Sequence, residues 1–309
     1  MDKIKSILSK ATHYRKAAFF DILAYRFVNN KVTVSAASLT YFLILAIFPF
    51  LIALLNIVRF FDASLMNQIM GTFATLPEEV ASLLSSFLED LQTSSSVALL
   101  SISLAGSIYS ASSGVKKVIQ SINDSFRYAK SHSFIALILL SIVMTIALFV
   151  LILSIFVVQI IGNAFLTQIF GYLNLGNQME KVIAIVMNLV PVLFMFIIFF
   201  ALYRFAPNWP DKIKPRAKNI AISSGFATFG IIIFTLIFNI YVSNFSSYSA
   251  TYGSLAGIIV FLVWLYLFGL IILLGGEINA TLHQLDEEGV QWPREYTMIG
   301  GLVGSKKKI

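Results

Sequence analysis

The run Leu255-Ala-Gly-Ile-Ile-Val-Phe-Leu-Val-Trp-Leu-Tyr-Leu-Phe-Gly-Leu-Ile-Ile-Leu-Leu274 decides the fold. It carries no charge, and as a helix rising about 1.5 Å per residue it covers ~30 Å, the thickness of a bilayer's hydrocarbon core. The whole 309-residue chain matches it in character, with 58% hydrophobic residues, 12% charged residues and a mean hydropathy of +0.85. Soluble domains run at about 45–50% apolar and about 25% charged. A water-soluble fold could not hide so much apolar surface, so lipid must be the solvent. This excludes a soluble enzyme, a soluble nucleic-acid-binding module and a disordered scaffold. With no cysteine, disulfides, thiolate metal sites and cysteine nucleophiles are excluded too.

Working outward, four more stretches are long and apolar enough to span: 34–57, 134–161, 182–203 and 220–242, with the opening run lying in 252–276. A sixth, 95–115, is crowded with serine but is required by charge. Counting it, twenty Lys and Arg fall on one side of the membrane and only Arg59 and Lys181 on the other. The positive-inside rule then predicts an all-α polytopic protein of six transmembrane helices with both termini cytoplasmic, in the cell membrane. Residues 1–285 form one domain and 286–309 a cytoplasmic tail. No cleavable signal peptide is expected, because the arm before the first span is too long and too charged.

Residues 1–33 read as a basic cytoplasmic arm. Ile4, Ile7, Leu8, Ala11, Ala18 and Ile22 recur at helical spacing between lysines, which fits an amphipathic helix on the inner leaflet. The partners this implies are membrane lipids, with anionic headgroups at the arm; a homo-oligomer is compatible with the pattern and nucleic acid is not expected. Between the first two spans, Thr75-Leu-Pro-Glu78 is a capping box, and Val80, Leu83, Leu84, Phe87, Leu88 and Leu91 follow as a short amphipathic outer-loop helix.

Within the spans, the polar and helix-breaking residues mark candidate pathway positions. Ser103, Ser107, Ala111 and Gly114 form a four-residue stripe in a span with nine serines between Ser94 and Ser113. Small residues allow close helix contact, and hydroxyls can bond across it or line a polar cavity. Pro49 in the middle of the first span and Pro191 in the upper half of the fourth each free a backbone carbonyl. Asn56, Asn188 and Asn239 are amides towards the outer half, and Gln159 lies at the outer end of the third span. Glu277 falls one turn beyond Leu274, at the predicted cytoplasmic interface, where Arg204 at the end of the fourth span is its expected partner.

No enzyme is expected. His13, His132 and His283 are isolated, and no hydrolytic metal motif, nucleophile elbow or phosphate-binding loop occurs. No cofactor or metal is expected either.

Four segments carry a resemblance. Ala36-Ala-Ser-Leu-Thr-Tyr-Phe-Leu-Ile-Leu-Ala-Ile-Phe-Pro49, Ser113-Gly-Val-Lys-Lys-Val-Ile-Gln-Ser-Ile-Asn123, Leu202-Tyr-Arg-Phe-Ala-Pro-Asn208, and Tyr252-Gly-Ser-Leu with Trp264-Leu-Tyr and Gly276-Glu-Ile-Asn279 resemble the signatures of the YihY/BrkB membrane proteins, in that family's order. The resemblance covers about residues 15–285. It implies six spans with cytoplasmic termini, and a family that has carried "ribonuclease BN", virulence-factor and transporter labels. The residues give the ribonuclease label no metal site to rest on. The expected function is a transporter or flippase-like protein for an amphiphilic envelope substrate, not driven by ATP. A non-transporting scaffold for envelope biogenesis is the alternative, and a cation/proton antiporter comes third.

Overall fold

The computed structural model describes residues 15–61, 81–82, 85–86, 97–126, 129–150, 177–209, 216–243, 255–287 and 297–298. Among these residues the protein is helical with no strand. The helices are α1 (Arg15–Asn29), α2 (Val32–Phe61), α3 (Val97–Asp124), α4 (Phe134–Val150), α5 (Asn177–Phe205), α6 (Ala217–Ser243) and α7 (Leu255–Glu287). Each of the six expected spans falls on one of α2 to α7. Over the described residues, Val32–Ile52, Ala217–Val242 and Gly257–Glu287 are long and apolar enough to cross a membrane, while Phe134–Val150 and Leu189–Phe205 are shorter apolar helices. The serine-rich α3 is not among them by hydropathy.

The helices alternate in direction. Gly114 of α3 faces Leu39 and Phe42 of α2, and Gly106 faces Pro49, so the two run antiparallel. Lys116 on α3 lies over the Phe134 ring at the start of α4, 5.1 Å from its centroid, and Phe149 near the other end stacks on Phe50. The C-termini of α3, α5 and α7 and the N-termini of α2, α4 and α6 therefore gather at one end, together with α1. The largest apolar cluster sits towards this end, where Val32, Ile119, Ile122, Tyr203 and Ile220 are fully buried. Further along, residues such as Leu139, Leu193, Ile233 and Leu236 face outward. A surface of that kind is stable against lipid, where apolar side chains need no cover.

Two elements extend past their expected ends. α3 continues to Asp124 rather than stopping near residue 115, so the expected connector with Lys116 and Lys117 is helical. α7 continues three turns past Gly276 to Glu287. The reason is burial: Glu277, Asn279, Thr281, His283 and Gln284 are polar yet covered by neighbouring elements. The Asn30–Lys31 corner between α1 and α2 is tight, with Lys31 in the left-handed region at φ 51°.

α1 differs from the free interfacial helix expected. Ala18 and Ile22 pack against Leu285 of α7, so the apolar face of α1 itself is spent on the protein. Its other face carries exposed Phe20 and Val28. Residues 1–14, most of the outer loop, Gln159 and nearly all of the tail lie outside the described residues; of the outer-loop helix, Ala81, Ser82, Ser85 and Ser86 are described and are helical.

Candidate functional site

The polar end is built around Glu277. Its carboxylate is 1% exposed and lies 3.7 Å from the Arg26 guanidinium of α1. Asn30 donates to Oε1 at 2.8 Å and the Ser125 hydroxyl at 2.7 Å. Arg26 also donates to the Ser125 carbonyl and to Oε1 of Gln284. The expected partner Arg204 is a correction: its guanidinium lies 5.7 Å from the ring centroid of its neighbour Phe205, and Arg26 takes the carboxylate instead. The physical reason is that α7 stays helical and buried beyond Leu274, which carries Glu277 under α1 rather than out to a loop. Farther along α7, Asp286 holds Arg15, Arg216 at 3.0 Å and Asn219 at 3.0 Å.

A second knot binds the ends of α3 and α5. Asn123 Oδ1 accepts from the Asn208 backbone N–H at 2.8 Å, and Asn123 Nδ2 donates to the Lys130 carbonyl at 3.3 Å. Tyr203 donates to the Ile272 carbonyl at 2.7 Å, and Asn279 donates to the Tyr203 carbonyl at 3.4 Å. Gly275 and Gly276 make this approach feasible: a Cβ on Gly275 would overlap the Tyr203 hydroxyl, and one on Gly276 would come within 2.8 Å of Ile122. The Trp209 ring meets Phe126 at 4.7 Å and His283 at 5.0 Å, edge to face.

The pathway candidates separate into two places. Ser103, Ser107 and Gly114 lie in the α2–α3 contact, the most extensive between the described helices. Ser107 is fully buried, and its hydroxyl donates to the Leu104 carbonyl of its own helix at 2.9 Å. A Cβ on Gly114 would lie 3.1 Å from Phe42 and 3.4 Å from Leu39. Pro49 is half-buried opposite Gly106, and α2 runs on through it. Pro191 is half-buried in α5, also unbroken, and Asn239 is half-buried on α6. Asn56 and Asn188 lie within α2 and α5, with side chains outside the described residues.

Beside Pro191, α5 and α6 border a cleft of about 470 Å³ lined by Leu189, Val190, Val192, Leu193, Phe196, Thr228 and Phe229. Leu189, Leu193 and Phe229 are each more than half exposed, so the cleft opens sideways from the bundle. Sequence reasoning missed both this cleft and Arg26. The signal for Arg26 was present, because Ala18, Ile22 and Arg26 follow one another at four-residue steps and must share a helix face.

Residues 23–298 match the virulence factor BrkB family. The chain belongs to the virulence factor BrkB family. Among its relatives, the ribonuclease-like protein YfkH of Bacillus subtilis is 34% identical over 268 residues, covering 86% of this chain and 96% of that one. The UPF0761 membrane protein NTHI0384 of Haemophilus influenzae is 24% identical over 269 residues, covering 85% and 94%. The UPF0761 membrane protein VP0125 of Vibrio parahaemolyticus is 27% identical over 294 residues, covering 91% and 86%. No solved structure matches. In this BrkB-family chain three of the four segments quoted for their resemblance converge: Asn123, Tyr203, Asn208, Gly276, Glu277 and Asn279 all meet at the polar end. The protein is thus a membrane protein of this family whose helix ends are held together by these residues.

Proposed function

We propose that the protein crosses the cell membrane six times, with the polar end and both termini in the cytoplasm, and moves an amphiphilic, lipid-like molecule between leaflets. The observation that carries this reading is the apolar cleft between α5 and α6, which opens to the side where lipid would lie. A sideways opening suits a substrate that arrives within the membrane rather than from water. The scarcity of fixed charge along the helices fits the same substrate, since a strongly charged solute would need a compensating residue at depth. Anionic headgroups fit the outward face of α1, where Phe20 and Val28 are exposed and Lys16 stands one turn before Phe20.

Reconstitution into proteoliposomes with fluorescent phospholipids tests the reading. The protein should speed leaflet exchange, and Leu193→Trp, which fills the cleft from an exposed position, should abolish the gain without lowering the yield of folded protein. Failure to move any lipid class overturns it in favour of a membrane scaffold. That second reading is favoured by the α2–α3 contact, where the serine stripe is packed closed. A cation/proton antiporter ranks below both, because Arg26 already neutralises Glu277.

A further inference from the structure

Helix α1 climbs the α7 extension instead of lying flat on a membrane. Its C-terminal end is held at Glu277, by Asn30 at 2.8 Å and Arg26 at 3.7 Å. Its N-terminal end is held at Asp286, by Arg15. Glu277 stands three residues beyond Leu274, where the apolar run ends, and Asp286 stands twelve beyond it. At about 1.5 Å per residue the two hooks lie ~4.5 and ~18 Å past that end, and the headgroup layer is only about 5–8 Å deep on each side. Phe20, a third of the way from Arg15 to Asn30, is therefore held above the lipid, and it is 67% exposed. Ala24 and Val28 follow it at four-residue steps on the same exposed ridge, with Lys16 one turn before. An apolar ridge flanked by lysine beside a membrane gains by entering it.

The α7 face at these hooks is poorly satisfied. Glu277, Thr281 and Gln284 share one side of α7, and Arg26 reaches both ends of it. Thr281 is fully buried, yet Thr281 Oγ1, Gln284 Nε2 and Glu277 Oε2 have no hydrogen-bond partner among the described residues. Such atoms are costly to bury, and water would satisfy them if α1 swung away. The connection permits the swing. α1 closes with the Asn30 N–H on the Arg26 carbonyl at 2.8 Å, and α2 opens with the Lys31 carbonyl accepting from Val34 at 2.9 Å. Each helix ends on its own bonds, so turning at Asn30–Lys31 breaks neither. Lys31 sits at φ 51°, which lysine rarely adopts, and a turn there releases it.

We propose that α1 is a lever that exchanges between the α7 extension and an anionic membrane surface. Raised, its arginines are held by Glu277 and Asp286. Lowered, Lys16 meets lipid phosphates, Phe20 and Val28 enter the leaflet, Arg26 turns to water, and the Glu277–Thr281–Gln284 face opens. Lys3, Lys5 and Lys10 precede α1 in the sequence and add to the attraction. The lever rests on the headgroup contact of α1 proposed above and not on leaflet exchange.

The chain has no cysteine, so single reporters can be placed in the full-length protein in nanodiscs. Thr281→Cys reads the covered face through its rate of reaction with a water-soluble maleimide. That rate should rise about tenfold when phosphatidylglycerol replaces part of a phosphatidylcholine bilayer, the scale of one or two basic residues at an anionic surface. Phe20→Asp, at an exposed position, should return it to the phosphatidylcholine value. Ser223→Cys, equally buried on α6, should stay slow in both bilayers. Equal Thr281→Cys rates in the two bilayers, or a parallel rise at Ser223→Cys, overturn the lever. A spin label at Ala24→Cys, exposed on α1, needs no change on the buried face and should pass from water to the leaflet when phosphatidylglycerol is added. A label that enters the leaflet while Thr281→Cys stays protected overturns the lever and leaves the headgroup contact standing. A label that stays in water in both bilayers overturns both.

Discussion

The polar end and the α5–α6 cleft are built in opposite ways, one held by polar contacts between elements and the other lined by apolar side chains. At the polar end the partners come from other elements: Glu277 of α7 is met by Arg26 and Asn30 from the α1 side and by Ser125 just past α3. Bare glycine backbone at Gly275 and Gly276 lets α5 and α3 close on α7, through Tyr203 and Ile122. In the cleft the lining is bulky and apolar, and the one hydroxyl among the lining residues makes no bond with the described residues. The difference teaches that this bundle is clamped at one end and open along one flank. Rigid docking of the helix ends and lateral access to lipid can then coexist in a single domain.

The largest expected effect would break the clamp. Arg26→Ala leaves a carboxylate 1% exposed with no countercharge. Removing one member of a buried pair costs about 3–5 kcal/mol, mostly through the charge left behind. We predict a large drop in thermal midpoint in detergent, part of which returns when Glu277→Gln is added to Arg26→Ala. Arg204→Ala, at the same end but resting on Phe205, should cost under about 1 kcal/mol. Equal losses from the two arginines would show that Arg26 is not the member holding Glu277.

The next effect sharpens the role of the bare backbone. Gly275→Ala forces a methyl group into the Tyr203 hydroxyl, which is itself fixed on the Ile272 carbonyl. Overpacking of this kind costs about 1–3 kcal/mol. Gly225→Ala on α6, with nothing within 4 Å, should be neutral or slightly stabilising, because alanine favours helix by up to about 1 kcal/mol. Unfolding midpoints of the two variants moving together would mean that the ends are not closely docked.

The helices themselves were legible in the sequence because each apolar run approaches the length of a bilayer crossing, and lipid demands that backbone bonds close within the segment. The clamp was not legible for two reasons. Arg26 was read as one of many inner-side positive charges, although its spacing from Ala18 and Ile22 puts it on the buried face. Glu277 was placed by counting residues from the end of the apolar run, which ignored that a polar helix extension can be buried by protein. Thr281 and Gln284 follow Glu277 at steps of four and three, the periodicity of one continued face. The cleft was invisible for a different reason: a gap between two apolar helices depends on how far they separate, and composition does not encode that distance.

The smallest expected effect bears on the serine stripe, the feature that first suggested a polar path. Ser107 is fully buried in the α2–α3 contact, yet its hydroxyl is satisfied by the Leu104 carbonyl of its own helix. Ser107→Ala removes that donor along with its need for a partner, and the carbonyl keeps its place in the helix. The change also improves helix propensity slightly, so stability should move by no more than about 0.5 kcal/mol. Ser107→Leu at the same position should cost about 1–3 kcal/mol, because the added carbons must displace α2. Paired unfolding and leaflet-exchange measurements separate packing from pathway. If Ser107 only packs, the alanine variant keeps both stability and exchange. An alanine variant that folds normally but no longer exchanges lipid would move the path from the α5–α6 flank into the α2–α3 seam, and the contrast between a clamped core and an open flank would have to be redrawn.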